Sequence, residues 1–207
     1  MKCNKLLRNI LFSAIVISIF ILFSIWLFDR AIALWIMQYL TANTPYLKTT
    51  NIKDHLMIIV VLLTSLSWLT YLYLFHQNIY DRRLVFCSVI GTVLPLSFAV
   101  KTVLKWLFGR TETQTWLQNQ NLYQFHWFSG TNGFEGFPSG HMLVFTPLFL
   151  TLWHFYPRYR LYYGGLWLLL GVALVVTEYH FLSDVIVGSY IGILIYLGVI
   201  LRIDKSI

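Results

Sequence analysis

Residues 6–28 read LLRNILFSAIVISIFILFSIWLF, an apolar run in which Arg8 is the only charged residue. A helix needs about 20 apolar residues to cross roughly 30 Å of hydrocarbon, and this run is long enough. It is too long for a signal peptide and lacks a small-residue cleavage site after its apolar core, so we interpret it as a retained membrane span. The whole chain has a similar character. It is 58% hydrophobic and 11% charged, whereas soluble domains carry about 25% charged residues.

The apolar runs predict an all-α integral membrane bundle of six helices, formed as a single domain over residues 1–207. The predicted spans cover residues 7–28, 56–75, 84–104, 142–156, 161–177 and 185–201. Backbone polar groups cannot stay unpaired in lipid, so each span is expected to be helical. The apolar segment AIALWIMQYL, residues 31–40, either extends the first helix or lies along the membrane interface.

Basic residues predict the orientation of these spans. With six spans, both termini lie on one side, and that side holds nine Lys and Arg residues against six on the other. Lys and Arg concentrate in cytoplasmic loops. We therefore expect a multi-pass protein of the cell (inner) membrane with cytoplasmic termini. Topology then accounts for most of the net charge of +7, and we infer no nucleic-acid partner.

The two cysteines predict no disulfide and no thiol metal site. Cys3 lies in the N-terminal tail, and Cys87 lies inside an apolar run.

Ionisable residues collect at the outer ends of the spans, in the loops at about 105–141 and 178–184. Ionisable groups at membrane depth are costly and indicate function. Lys101 and Lys105 are one helical turn apart, so they share a face. His180 and Asp184 have the i, i+4 spacing that brings two side chains together on a helix.

Several of these residues are suited to binding an anion. The sequence PSGH at 138–141 comes directly before a predicted span. Ser139 and Gly140 would place a hydroxyl and backbone N–H groups at the positive end of the helix dipole. Lys105 and Arg110 would add positive charge, and arginine binds phosphate in a bidentate manner.

The remaining residues are suited to phosphoryl transfer. Asp184 can accept a hydrogen bond from one nitrogen of His180, which leaves the other nitrogen as a nucleophile or base. His141 can donate a proton to a leaving oxygen. Two histidines, one carboxylate and a basic anion site suit a covalent phosphohistidine, a chemistry that needs no metal or other cofactor.

Each residue also has an ordinary structural interpretation. Pro-Ser-Gly is a common turn followed by an N-cap, and Asp184 can pair with a helix dipole. Lys101 and Lys105 can extend to the headgroups. The aromatic residues of the long loop form either an interfacial belt or a lid beside a lipid-entry site. The functional interpretation is favoured because all these residues fall on one predicted face of the membrane.

The motifs KWLFGR, PSGH and HFLSD, in this order and on these loops, resemble those of the membrane-bound type 2 phosphatidic acid phosphatase family, which is related to vanadium haloperoxidases. The resemblance covers roughly residues 84–200 and implies a six-helix membrane domain. Members of this family cleave lipid phosphates and pyrophosphates without a metal.

The resemblance implies a role for each matching residue. His180 would be the nucleophile, Asp184 its orienting partner and His141 the general acid. The phosphate would be bound by Lys105, Ser139 and Gly140, with Arg110 as a substitute for a missing motif arginine.

Two motifs depart from the family pattern. The first motif's Arg-Pro is replaced by Glu112 and Thr113, and the third motif's Ser-Arg by Ala173 and Leu174. Because both histidines and the aspartate are in register, we expect an active enzyme.

Three other functions are open at this stage. A phosphotransferase of the same family would pass the phosphoryl group to a lipid acceptor instead of water. A transporter of an anionic lipid or solute would use the same basic vestibule, although no inverted repeat is evident. A noncatalytic lipid-binding protein would retain only the membrane fold.

Overall fold

The computed structural model describes residues 2–41, 52–129 and 133–203. In this part of the chain the regular structure is helical, and a single isolated β-bridge joins Arg110 to Phe125. The helices are α1 (Lys2–Phe23), α2 (Asp29–Ile36), α3 (Ile52–His76), α4 (Arg82–Phe108), α5 (Thr113–Gln118), α6 (Gly140–Phe155), α7 (Arg160–Val176) and α8 (Leu182–Ile203).

The first helix is longer than predicted. π-helical turns at Ser24–Phe28 and Met37–Thr41 flank α2, so the chain stays helical from Lys2 to Thr41. The segment at residues 31–40 therefore extends the first span. A π turn holds an extra residue relative to an α-helical turn and changes the face on which the following residues lie. Directly after the first π turn, Asp29 is buried with 1% of its surface exposed.

Within the described residues, five helical segments are long and apolar enough to cross a membrane, so the predicted count of six is not confirmed. They are Leu11–Leu40, His55–His76, Arg82–Phe108, Pro157–Val176 and Leu182–Ile203. The other predicted span corresponds to α6, which has 16 residues. At 1.5 Å per residue it is about 24 Å long, shorter than a typical hydrocarbon core.

Helix α6 lies in the interior and packs against α4, α7 and α8. Two glycines of α8 allow a close approach. A Cβ atom at Gly188 would lie 2.5 Å from the carbonyl oxygen of Ser139, and one at Gly192 would lie 2.9 Å from Pro147 Cδ. Small residues at this spacing let membrane helices approach each other closely. The contact also sets the position of the N-terminus of α6, which carries PSGH.

The main apolar core lies where α4 meets α3, α6 and α8. Its most buried members are Val89, Val93, Leu94 and Val144, each with at most 1% of its surface exposed. Cys87 is also buried and is a free thiol. The side chain of Cys3 lies outside the described part of the chain, as do several of the basic residues used to predict the orientation.

Candidate active site

The motif KWLFGR ends α4 and starts the loop that leads to α5. Gly109 is the C-cap, with a left-handed φ of 49°, and its N–H donates to the carbonyl of Lys105 at 3.0 Å. This is a common way to end a helix, and it favours glycine. A Cβ there would lie 1.9 Å from the carbonyl oxygen of His126. Because of this turn, Lys105 and Arg110 point in different directions. Lys105 lies in the last turn of α4, and Arg110 comes after the turn.

The Arg110 side chain points into the protein, where it is paired with carboxylates. Its side chain is 2% exposed, and it forms ion pairs with Asp184 (2.5 Å) and Asp29 (2.8 Å). The Nη1 atom also donates to the Ser183 hydroxyl, and Nη2 donates to the Tyr123 hydroxyl. Both terminal nitrogens of Arg110 thus bind protein oxygens in this geometry, and the phosphate-binding role expected of Arg110 stays a prediction.

The surroundings of Arg110 keep it charged. Burial opposes the charge, but the carboxylates of Asp184 and Asp29 outweigh this effect and raise the pKa of Arg110 above its ordinary value. Burial also raises the pKa of Tyr123 to about 12, so its hydroxyl keeps its proton and donates to the carbonyl of Ile25. The guanidinium lies 4.5 Å from the centre of the Phe181 ring, a cation–π contact.

The sequence PSGH forms the N-terminus of α6. Ser139 is the N-cap, and its hydroxyl accepts from the N–H of Met142 at 3.4 Å. Its own N–H donates to the carbonyl of Asp184 at 3.0 Å. The hydroxyl is fully buried. Ser139 thus has the ordinary capping role, and it joins the two site loops at the same time.

Lysine side chains lie beside this N-terminus. A Cβ at Gly140 would lie 2.8 Å from Lys101 Cδ, so the glycine allows the lysine to lie against the first turn of α6. Lys105, one turn further along α4, is close enough for its charge to affect the titration of His180. The structure therefore brings Lys105 and Gly140 to the same site, together with Lys101 one turn earlier on α4.

His180 and Asp184 are also brought together, although not on one helix. His180 precedes α8, and its Nδ1 atom lies 3.7 Å from Asp184 Oδ2. This distance exceeds a hydrogen bond, and Oδ2 instead accepts from the N–H of Phe181 at 3.0 Å. A side chain in the first turn that accepts a hydrogen bond from the N-cap N–H of its own helix forms half of a capping box. It holds the carboxylate beside His180, where catalytic contacts are often long before substrate binds.

The two histidines face each other across the site. The ring centres of His141 and His180 are 6.4 Å apart, and the ring of Tyr179 lies near both. Burial lowers the pKa of His180, the Asp184 carboxylate opposes this effect, and Lys105 adds to it. The imidazole of His180 is therefore neutral at pH 7. A neutral imidazole has the lone pair that a nucleophile needs.

Three residues of the buried charge cluster were not predicted, namely Asp29, Tyr123 and Ser183. Asp29 was assigned to the outer end of the first span without a role. The signal that could have identified it is a carboxylate at the end of an apolar run, since such groups are usually paired. Its partner could not be identified, because Arg110 is 81 residues away in the chain.

An apolar cavity of about 600 Å³ lies between the first helix, α7 and α8. Its walls include Trp35, Met142, Trp167 and Val185. Met142 follows His141 in the chain, and Val185 follows Asp184. The cavity is thus adjacent to the candidate site, and its lining suits hydrocarbon.

No group of three or more His, Cys, Asp or Glu side chains in the described residues could hold a metal ion. The charged groups of the site instead suit an anion. Lysines and a helix N-terminus form one side, and two histidines and an aspartate form the other.

The fold and the site define a class: an α-helical membrane protein with a His–Asp pair facing a second histidine and a basic helix N-terminus. The family model described as the PAP2 superfamily matches residues 86–207, more than half of the chain. The chain therefore belongs to the PAP2 superfamily.

Two curated relatives are similar to part of the chain. A lipid A 1-phosphatase of Rhizobium etli is 32% identical over 101 residues, which are 49% of this chain and 43% of the relative. A lipid A 1-phosphatase of Rhizobium johnstonii is 31% identical over 112 residues, 52% of this chain and 46% of the relative. The matches thus span about half the length of these relatives. No solved structure matches the chain.

Proposed function

We propose that this chain is an integral membrane phosphatase that hydrolyses a lipid phosphate monoester or pyrophosphate through a phosphohistidine, without a metal. The observation that carries the proposal is the buried His180 beside Asp184, facing His141 across 6.4 Å. The family membership supports it, and so do the lipid A 1-phosphatases that the chain resembles.

In the first step, Nε2 of His180 attacks phosphorus while the bond from phosphorus to the lipid oxygen breaks. Asp184 stabilises the positive charge that develops on the imidazole. His141 donates a proton to the departing oxygen, so the lipid leaves as an alcohol, or as a lipid phosphate when the substrate is a pyrophosphate.

In the second step, water attacks the phosphohistidine and the phosphorus–nitrogen bond breaks. His141, now a base, takes a proton from the water, and inorganic phosphate and neutral His180 result. Lys105 and Lys101 offset the charge on the phosphate oxygens throughout. The amides of the first turn of α6 would bind the same oxygens, since helix N-termini bind anions. In this proposal Ser139 acts by capping that helix, and Gly140 by letting the anion and Lys101 approach.

The lipid nature of the substrate is supported by the apolar cavity beside the site. Hydrocarbon chains would occupy it or the adjacent bilayer, while the headgroup phosphate reaches His180. The candidate lipids are undecaprenyl pyrophosphate, phosphatidate, phosphatidylglycerol phosphate and a lipid A type glycolipid. We also propose that α6 completes a bundle of six helices, with cytoplasmic termini and the site facing the periplasm or exterior.

The test uses purified protein in detergent with these four lipids, with and without a chelator. We expect phosphate release from at least one lipid, unchanged by the chelator and abolished in His180→Ala. A matched control is His154→Ala, because His154 lies near the other end of α6. Failure to release phosphate from any lipid, or release that survives in His180→Ala, would reject the proposal. Transfer of phosphate to a second lipid would indicate the phosphotransferase instead.

A further inference from the structure

Asp29 is the acidic residue of the buried cluster that comes from outside the family match, which covers residues 86–207. It lies on the first helix and is 1% exposed. Its Oδ2 atom accepts from Arg110 Nη2 at 2.8 Å and from the Ser183 hydroxyl at 2.5 Å. Its Oδ1 atom accepts from the N–H of Ser183 at 2.9 Å. The first helix is therefore bonded directly to the start of α8.

The two carboxylates share one guanidinium. Nη1 of Arg110 binds Asp184, and Nη2 binds Asp29. One positive and two negative charges leave the cluster with a net charge of about −1. If Arg110 had Asp184 as its single anionic partner, that pair would be neutral, and Asp184 would interact less strongly with a positively charged imidazole.

We propose that Asp29 is a positioning residue for catalysis, which acts through Arg110 and Ser183 to keep Asp184 oriented behind His180 and adds a second negative charge to the cluster. This inference rests on the proposed function. Asp29 does not touch the substrate. Asp29 binds Nη2 of Arg110, which pairs with Asp184 through Nη1. It also binds the backbone N–H of Ser183, next to Asp184 at the start of α8. Asp29 thus fixes both the cation that pairs with Asp184 and the helix end on which Asp184 lies.

The chemical consequence concerns the intermediate. Phosphorylation at Nε2 leaves the His180 ring positively charged, with a proton on Nδ1 that faces Asp184. A net negative cluster stabilises that ring more than a neutral pair does. The charged and titratable groups facing His180 are Asp184 from α8, Lys105 from α4, Glu112 from the loop after α4 and His141 from α6, and the Tyr179 ring lies 4.9 Å away.

The test is Asp29→Asn in the full chain, assayed with the lipid on which the unmodified protein is most active. The substitution keeps the shape and removes the charge. We expect kcat to fall about 10- to 100-fold, the range seen for residues that orient catalytic groups, with KM changed less than about 2-fold. The acid limb of kcat/KM against pH should move to lower pH, because less negative charge near His180 disfavours its protonation.

Asp81→Asn is the matched control. Asp81 is an N-cap at the start of α4, where asparagine also caps well, so its kinetics and pH profile should be unchanged. Tyr123→Phe removes another contact of Arg110 without changing charge. It should leave the acid limb in place.

The outcomes separate the two proposals. An unchanged kcat in Asp29→Asn, or a lowered kcat with an unmoved acid limb, would overturn the role of Asp29, while phosphate release by the unmodified protein would still uphold the proposed function. If Asp29→Asn does not yield folded protein, Asp29→Glu provides the test. It keeps the charge and displaces it by one methylene, so it should lower kcat without moving the acid limb, and an unchanged kcat would overturn the inference. No phosphate release by the unmodified protein would overturn both proposals.

Discussion

The Oδ2 atom of Asp184 lies 3.7 Å from His180 Nδ1, while the Oδ1 atom of Asp184 is bonded to Arg110. The carboxylate thus has an arginine on one side and an imidazole on the other. It also accepts from the N–H of Phe181, which fixes its plane. This arrangement leaves one oxygen oriented toward the histidine, and it gives the cluster around Arg110 a part in the proposed chemistry.

Replacing Asp184 with asparagine should severely impair catalysis. The amide has no negative charge to stabilise the His180 ring, and its NH₂ group cannot accept a hydrogen bond from the Nδ1 N–H. In a comparable His–Asp pair the same change lowers kcat about 10⁴-fold, and we expect a loss between about 10³- and 10⁴-fold. Steady-state phosphate release measures it. Ser189→Ala, five residues further along α8, is the control and should keep activity. Near-normal activity in Asp184→Asn would contradict the proposed mechanism.

The pH dependence of the unmodified protein should reflect the burial of His180. Its pKa lies below the ordinary value because burial disfavours the charged ring. The neutral, nucleophilic form therefore persists below pH 6.5, the ordinary histidine value. We expect the acid limb of kcat/KM to fall at a pH lower than about 6.5, provided that it reports His180 of the free enzyme. A plot of kcat/KM from pH 4 to 8 tests this. An acid limb above about 6.5 would show that the ring is more solvated than in the structure.

Arg110→Met should destabilise the fold as well as the site. It leaves Asp29 and Asp184 as buried carboxylates without a cation, and breaking a buried ion pair costs about 3–5 kcal/mol. Thermal unfolding in detergent micelles should show a lower midpoint for this variant.

Arg83→Met is the comparison for Arg110→Met. Arg83 pairs with Asp81 at 2.7 Å, but the two side chains are 70% and 38% exposed. Exposed pairs contribute little to stability, so its unfolding midpoint should change only slightly. Equal changes in the two variants would argue against a tightly packed cluster around Arg110.

Gly188→Ala should separate α8 from α6. Its Cβ would lie 2.5 Å from the Ser139 carbonyl oxygen and 3.1 Å from Met142 Cβ. Such overpacking typically costs about 1–3 kcal/mol. Because it displaces the N-cap of α6, phosphate release should fall as well.

Gly198→Ala, on the same helix, is the control for Gly188→Ala. A Cβ at Gly198 has nothing within 4 Å. Alanine is the better helix former by about 1 kcal/mol, so this variant should be as stable as the unmodified protein or more so. The two changes should therefore shift the unfolding midpoint in opposite directions. A stabilised Gly188→Ala would show that the helices are further apart than in the structure.

Orientation in the membrane can be tested with cysteines introduced at Gln124 and Gln77, in a variant that lacks Cys3 and Cys87. Both glutamines are exposed, one in the loop after α5 and the other in the turn after α3. A membrane-impermeant thiol reagent added to intact cells should label position 124 and leave position 77 unlabelled until the cells are lysed. The reverse pattern would place the proposed site in the cytoplasm.

Much of the fold was predictable because a bilayer imposes a simple rule on sequence. An apolar run near 20 residues must be a helix. The predicted spans 56–75 and 185–201 correspond to Ile52–His76 and Leu182–Ile203. Helix α6 is the exception, with 16 residues. It packs against three other helices, so its composition reflects the protein interior as much as lipid.

The motif residues His141, His180, Asp184 and Lys105 were identified from local spacing and resemblance, and the structure brings them together. Arg110 was identified as well, but its pairing with two buried carboxylates was not predicted. Its charge and its nearness to Lys105 both indicated phosphate binding. Residue type shows that an arginine needs anionic partners, but not which ones.

The order of polar and apolar residues was enough to predict a helical membrane protein. It also predicted that the ionisable groups, including the two histidines, collect at one end of the helices. Tertiary structure decided how those charges are paired. The left-handed turn at Gly109 directs Arg110 inward, and the π turn before Asp29 brings a carboxylate from the first helix to meet it. A buried charge is stable only beside its counter-charge. Since these partners are far apart in the sequence, only the folded bundle shows that Arg110 pairs with Asp184 and Asp29.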